Sequence, residues 1–296
     1  MIKRLAYAKI NLFLDIEGIA ENGYHNIVSV MQSIDWADCV SVSSVPGGGI
    51  SVSCSNEALP VDERNIAYRA ARLFLSESKI DSGVQIHIEK RIPLEAGLAG
   101  GSADAAAVLL GMNDLFASPF SQDELTQMGA KIGADVPFCL VGGTQKATGI
   151  GQILDPIEPM PPCYIVCAKM GEGVSTPAAY RALDEKFDRF RQYSPEYNKL
   201  DLLRRAFIEK DIALLKNGCF NIFETVIEDS HSSVKQLKQA LLSQGADSVM
   251  MSGSGPSVFG VFTDRKDAYA ACLTLQNMGA NASICRPCSC GGRILE

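Results

Sequence analysis

Residues Ala6 to Ile16 alternate without a break, with Ala6, Ala8, Ile10, Leu12, Leu14 and Ile16 on one face and Tyr7, Lys9, Asn11, Phe13 and Asp15 on the other. A period of two predicts a β-strand and sets Lys9 and Asn11 on the same side of it. Beyond Gly18 the stretch "IAENGYH" is turn-rich, and a second strand begins near Ile27. "CVSVSSVPGGGISVSC" reads as a hairpin turning around Pro46 to Gly49. After Asp62, the apolar positions Ile66, Ala70 and Leu73 take helical spacing. "VQIHIEK" alternates again and runs into "PLEAGLAGGSADAAAVLLGMNDLF", a glycine-rich loop followed by an alanine-rich apolar helix.

The second half of the pattern is punctuated more heavily. "SQDEL" fits a capping box, with Glu124 reaching back to the Ser121 amide, and that helix stops near Gly133. In "ADVPF", Asp135 stands two residues before Pro137, which puts it at or beside a helix N-cap. Prolines 156, 159, 161 and 162 mark the boundary between two domains, 1–155 and 156–296. Beyond it come a strand, "CYIVCAK", and a helix with Thr176 as cap and Pro177 at its first position. Near the end, "DSVMMSGSGPSVFGVFT" reads as strand, glycine turn and strand, and "DRKDAYAACLTLQNMG" as a closing helix. Interspersed strands and helices without regular βαβ repetition predict an α+β fold.

Composition narrows the function classes. With 296 residues, 47% hydrophobic and 21% charged, the chain is an ordinary globular one. A formal net charge of −7 argues against nucleic acid as a partner, though not against a small anionic ligand in a local pocket. No apolar run is long enough for a membrane span. Lys9, Asn11 and Asp15 interrupt the N-terminal apolar stretch, so it reads as a strand of a cytoplasmic protein rather than a signal peptide. Most of the ten cysteines lie in apolar contexts as small hydrophobes. Cys285, Cys288 and Cys290 cluster in "CRPCSC", but three thiolates lack a fourth metal ligand, and the segment reads as an incidental tail.

The glycine-rich loop carries the first chemistry. Gly97, Gly100 and Gly101 let the backbone approach an anion closely, and the first amides of the following helix have no internal partners. Ser102 sits at the mouth, where its hydroxyl can touch a phosphate or its Mg²⁺. The run lacks both the glycine-lysine-serine ending of a Walker loop and the G-x-G-x-x-G spacing. "MSGSGPSVFG" is a second small-residue turn, able to close over phosphates or simply to turn tightly. Lys9 on a half-buried strand needs a partner, and Asp135 at a helix N-terminus can supply one. Hydrolase chemistry fits poorly, because none of His25, His87 and His231 accompanies a G-x-S-x-G elbow.

Taken together, "YAKINLFLDI", "NGYHNI", "PLEAGLAGGSADAA", "GADVPFCLVGGTQKATGIG" and "MSGSGPSVFG" resemble the GHMP small-molecule kinases over nearly the full chain. "YAKINL", "GYH" and "GADVPF" are similar to the branch acting on a cytidyl-diphospho methylerythritol. The resemblance implies an N-terminal domain like domain 2 of ribosomal protein S5 and a ferredoxin-like C-terminal domain, with the active site in the cleft between them. It implies transfer of the γ-phosphoryl group of ATP, with Mg²⁺, to the 2-hydroxyl of that substrate in the non-mevalonate route to isoprenoids. Asp135 is then the catalytic aspartate and Lys9 its paired lysine. Pro93, Leu94, Glu95, Ala96, Gly97, Leu98, Ala99, Gly100, Gly101, Ser102 and Ala103 form the triphosphate loop, and Asn65 helps hold adenine. Asn11 contacts substrate, Tyr24 and His25 stack on and hydrogen-bond the cytosine, and Tyr180 covers its other face. Ala20, Asn22, Glu95 and Gln152 depart from the family pattern. Glu95 would weaken ATP binding if it pointed into the loop. Two other readings stay open: a mevalonate-, homoserine- or galactose-type kinase, and a nucleotide-binding relative without turnover. Monomer and homodimer both remain possible.

Overall fold

The computed structural model describes residues 1–295. Its first half contains β1 (Ile2–Ile19), β2 (His25–Val45), β3 (Ile50–Cys54), α1 (Ile66–Ser78), β4 (Gly83–Glu89), α2 (Gly100–Leu115), α3 (Gln122–Ile132), α4 (Val136–Val141), β5 (Thr144–Thr148) and β6 (Ile153–Pro156). Then follow β7 (Tyr164–Lys169), α5 (Thr176–Lys186), α6 (Tyr197–Glu209), α7 (Leu215–Gly218), β8 (Phe220–Asn221), α8 (Glu224–Ser230), α9 (Ser232–Ser243), β9 (Ser248–Met251), β10 (Val258–Phe262), α10 (Arg265–Asn277), β11 (Asn281–Cys285), β12 (Pro287–Cys288) and β13 (Gly292–Leu295). Among the described residues no helix is long and apolar enough to cross a membrane.

The first sheet runs β13-β1-β2-β4-β3, with β5 and β12 on β2. The hairpin expected around Pro46 is not formed. β4 lies between the two strands, antiparallel to β2 at Val42–Ile86 and parallel to β3 at Val52–Ile86. The turn residues allow a hairpin locally, but Val84, Ile86 and Ile88 bury their side chains best in the middle of the sheet. The alternation of β1 is also interrupted. The register skips Leu12, so Asn11 faces Met31 and Phe13 faces Val30. Leu12 and Phe13 are both buried as a result, and a bulge of this kind re-aims the strand. Lys9 and Asn11 precede the bulge and keep a common face.

The second sheet runs β11-β7-β10-β9. Its strands and helices follow the β-α-β-β-α-β order of a ferredoxin-like unit. Alternate side chains of β7 and β10 serve two cores. Ile165, Cys167, Phe259 and Val261 pack against Ala8, Ile10 and Ile34 of the first sheet. Val166, Ala168, Val258 and Phe262 pack against α9 and α10. α1 to α4 cover the far side of the first sheet through Ala70, Phe74, Ala106 and Val108.

The last residues are not an incidental tail. β13 pairs with β1 and β12 with β2, which returns the chain end to the first sheet. Tyr7 N–H donates to the Gly291 carbonyl at 3.0 Å. A Cβ on Gly291 would stand 1.8 Å from the Cys139 carbonyl oxygen of α4, so only glycine fits where this segment crosses that helix. Cys285 is buried in β11, Cys288 lies in β12 and Cys290 is exposed.

Candidate active site

Lys9 is buried at the centre of β1. Its Nζ donates to Asn11 Oδ1 at 2.7 Å and to the Gly97 carbonyl at 3.3 Å. Asn11 is oriented for this, because its Nδ2 donates to Ser29 Oγ at 2.9 Å, whose hydroxyl donates to the Phe13 carbonyl at 2.6 Å. Asp135 Oδ2 completes the surroundings at 3.7 Å, an ion pair too long to be a hydrogen bond. Asp135 is the N-cap of α4, as its place before Pro137 predicts, yet its side chain makes no capping bond. The carboxylate is one third exposed, at 33%, and is therefore available to a ligand.

The glycine-rich loop lies against this pair. Lys9 N–H donates to the Leu98 carbonyl at 3.1 Å, which joins the loop to β1. Glu95, Gly97 and Ala99 take left-handed φ values of 49°, 71° and 55°. Such alternation turns successive amides inward, and in non-glycine residues it is held only by the surrounding structure. α2 opens at Gly100 with no side-chain cap, and its first internal bond is Ala103 N–H to the Ala99 carbonyl at 2.9 Å. The amides of Gly100, Gly101 and Ser102 thus have no carbonyl within the helix, which suits an anion.

The second glycine turn closes the other side. A Cβ on Gly97 would lie 2.1 Å from the Ser252 carbonyl oxygen, and one on Gly253 would lie 3.0 Å from that of Gly97. Ser252 Oγ donates to the Gly97 carbonyl at 3.0 Å, and Asn11 N–H donates to Ser252 Oγ at 3.3 Å. Asn221 Nδ2 holds the turn by donating to the carbonyls of Met251 and Gly253, each at 2.8 Å. Thr176 does not cap α5; Ser175 is the N-cap residue, and the Thr176 hydroxyl bonds Ser254 Oγ of this turn at 2.8 Å.

The other expected site residues fall into separate groups. Asn65 caps α1 by accepting from Ala67 N–H at 2.9 Å, and its Nδ2 donates to the Pro60 carbonyl at 2.8 Å. It lies near the loop, since a Cβ on Gly101 would touch Ile66 at 3.5 Å. His25 and Tyr180 are brought together, stacked at 4.6 Å between ring centroids, while Tyr24 stands 61% exposed at the β1–β2 turn. Burial, followed by the Asp135 charge, pushes the Tyr180 hydroxyl up to about 12. Glu95 is exposed, and its side chain occupies the space that a Cβ on Gly173 would need, 2.5 Å away. Asn22 accepts from Tyr24 N–H at 3.1 Å, and Gln152 Oε1 accepts from Ile150 N–H at 2.8 Å, so both departures serve their own turns.

Comparison with known proteins bears on this geometry. Residues 65–143 match the family model described as GHMP kinases N terminal domain, and residues 203–281 match GHMP kinases C terminal. A relative from Acetivibrio thermocellus named 4-diphosphocytidyl-2-C-methyl-D-erythritol kinase is 44% identical over 92% of this chain and 94% of its own. A relative of the same name from Lachnoclostridium phytofermentans is 40% identical over 92% and 91%.

The chain belongs to the GHMP kinases.

A solved structure of 4-(cytidine 5'-diphospho)-2C-methyl-D-erythritol kinase superposes on this GHMP kinase with a TM-score of 0.82 and 31% identity, covering 96% of this chain and 98% of the other. Homoserine kinase from Cytophaga hutchinsonii shares the fold, with a TM-score of 0.78 at 19% identity. Sequence reading of this GHMP kinase missed Ser29, Asn221 and Ser252, which orient Asn11 and the second turn. Nothing in their local sequence signals a tertiary hydrogen bond. It also missed Asp184, whose Oδ1 lies 2.7 Å from His25 Nε2. Here a signal exists, because Asp184 stands four residues after Tyr180 and shares its face of α5. Lys90, Asp38 and Asp104 form a buried cluster beneath the loop, with Lys90 Nζ at 2.5 Å and 2.8 Å from the two carboxylates. Asp104 inside an alanine-rich helix was the readable sign of it.

Proposed function

We infer that this GHMP kinase transfers the γ-phosphoryl group of ATP to the 2-hydroxyl of 4-diphosphocytidyl-2-C-methyl-D-erythritol, a step in non-mevalonate isoprenoid synthesis. The observation that carries the reading is the convergence of Lys9 Nζ on Asp135, Asn11 and the Gly97 carbonyl, beside the open amides of α2. The substrate assignment draws on relatives of that name at 40% and 44% identity over 92% of the chain.

In this reading the acceptor oxygen forms a bond to the γ-phosphorus, the bond from that phosphorus to the β,γ-bridging oxygen breaks, and ADP leaves. The hydroxyl proton passes to the Asp135 carboxylate. Lys9 stands beside Asp135 as its ion-pair partner and offsets negative charge on the moving group. The loop from Pro93 to Ala103 holds the triphosphate. Tyr24, His25 and Tyr180 receive the cytosine, whose planar ring suits aromatic contact. Among the described residues no cluster of three or more histidine, cysteine or acidic groups could hold a metal ion. Ser102, at the open start of α2, would hold a Mg²⁺ that arrives with the nucleotide, and that ion would supply charge neutralisation. The units 1–155 and 156–296 supply the loop and the base-facing helix respectively.

Purified protein with ATP, Mg²⁺ and the cytidyl substrate should release ADP. Asp135→Asn should lower turnover at least about a hundredfold, as expected for loss of a positioned base. Full turnover in that variant removes Asp135 from the mechanism. ADP release with mevalonate or homoserine in place of the cytidyl compound overturns the substrate assignment.

A further inference from the structure

His25 is held on three sides. Its ring stacks on Tyr180 at 4.6 Å, meets the edge of Phe190 at 5.8 Å, and has Nε2 2.7 Å from Asp184 Oδ1. Among the described residues its Nδ1 has no hydrogen-bond partner. Phe190 is supplied by an unusual turn in which Asp188, Arg189 and Phe190 have φ values of 43°, 54° and 61°. Three consecutive left-handed non-glycine residues persist only where packing enforces them. Here Phe190 packs on Phe187 and Tyr193 at 5.5 Å and 5.4 Å, and Tyr193 donates to the buried Asp15 of β1 at 2.7 Å. The ring is therefore fixed in orientation, with one nitrogen left open.

We propose that Asp184 is a specificity-determining positioning residue that fixes His25 with hydrogen on Nε2, leaving Nδ1 as an acceptor that selects a base bearing an exocyclic amine. This rests on the reading above that His25 faces a nucleobase. An Asp184 carboxylate can only accept, so the shared hydrogen belongs to Nε2, and a ring carrying that single hydrogen keeps its lone pair on Nδ1. The exocyclic amine of cytosine donates to that lone pair. Uracil carries a carbonyl oxygen at the same position, and two acceptors would face each other without a hydrogen. A site built around such a bond rejects the analogue lacking the donor strongly.

The test compares kcat/KM for the cytidyl substrate and its uridyl counterpart. Wild type should prefer the cytidyl compound by up to about a hundredfold, the scale of one buried polar group left unpaired. Asp184→Ala frees the ring to carry hydrogen on either nitrogen. The preference should fall at least about tenfold, most of it in the KM of the cytidyl compound. A purely structural loss would weaken both substrates alike and leave the ratio where it was, which overturns the proposal. Nitrogen-15 NMR of His25 in wild type gives a second measurement. A protonated Nε2 and a bare Nδ1 support the assignment, and hydrogen on Nδ1 overturns it. Wild type that releases no ADP with the cytidyl compound defeats the functional reading instead, whatever the NMR reports.

Discussion

Lys90 and Lys9 flank the same glycine-rich loop, one beneath Gly100 and the other against Gly97. Lys90 is saturated. It donates to Asp38 at 2.5 Å and Asp104 at 2.8 Å, and none of the three side chains is more than 3% exposed. Asp38 also accepts from the amides of Arg91 and Ile92, at 2.5 Å and 2.9 Å, so the cluster joins β2, the loop entry and α2. Lys9 meets its aspartate at 3.7 Å, and that aspartate opens towards solvent. The same two residue types thus give a closed cluster that shapes the backbone and an open pair that retains capacity for a ligand. Distance and exposure, rather than residue identity, separate support from chemistry.

The largest way to break this comparison is Lys90→Met. Removing one partner of a buried ion cluster leaves carboxylate charge uncompensated, which costs about 3–5 kcal/mol. Urea unfolding should show that loss, and a change below about 1 kcal/mol would mean that two backbone amides suffice for Asp38. Next comes Asp135→Asn. Its hundredfold effect on turnover corresponds to about 2.7 kcal/mol in the barrier. Its effect on unfolding should stay within about 0.5 kcal/mol, because a half-open pair contributes little to stability. A stability loss matching that of Lys90→Met would erase the distinction between the two pairs.

Legibility divides along the same line. Lys9 and Asn11 were readable as neighbours because a strand repeats every two residues, and Asp135 because cap chemistry is local. That Lys9 and Asp135 pair was expected from the lysine's need for a partner, whereas their 3.7 Å separation was not readable, since tertiary packing fixes it. The misplaced hairpin has the same origin. Its turn residues fit, but β4 arrives from beyond α1 to take the central position. Gly291 looked like part of a loose end, and only its approach to the Cys139 carbonyl explains why that residue lacks a side chain. His25 and Tyr180 were both identifiable, whereas their direct stacking depends on Asp184 and Phe190, which the family motifs do not include.

A smaller effect is expected at the loop itself. Gly97→Ala places a methyl group 2.1 Å from the Ser252 carbonyl oxygen, at a φ of 71°. The two glycine turns must then separate, at a cost of about 2 kcal/mol typical of an enforced left-handed residue. Because the Gly97 carbonyl also receives Lys9 Nζ, the KM for ATP should rise by roughly tenfold, about 1.4 kcal/mol. An unchanged KM alongside lower stability would show that the two turns pack together without shaping the cradle.

The smallest loss belongs to Asp104→Asn, and its pH dependence sharpens the contrast most. Burial, opposed by the Lys90 charge and assisted by that of Asp38, pushes the Asp104 carboxyl up to about 8. The unfolded carboxyl titrates near 3.9, so between about pH 4 and pH 8 the folded chain holds a proton that the unfolded chain has released. Its contribution to stability is complete below the unfolded value and is lost as pH rises through the folded one. Asparagine is neutral and nearly isosteric, so at pH 5 the substitution should cost less than about 1 kcal/mol. Urea unfolding at pH 5 and pH 8 should then move in the variant's favour at the higher pH, because asparagine has no proton to lose. A penalty that instead grows towards pH 8 would mean that Asp104 is ionised and holds Lys90 by charge. The closed cluster would then be a full ion triad rather than one ion pair beside a neutral acid.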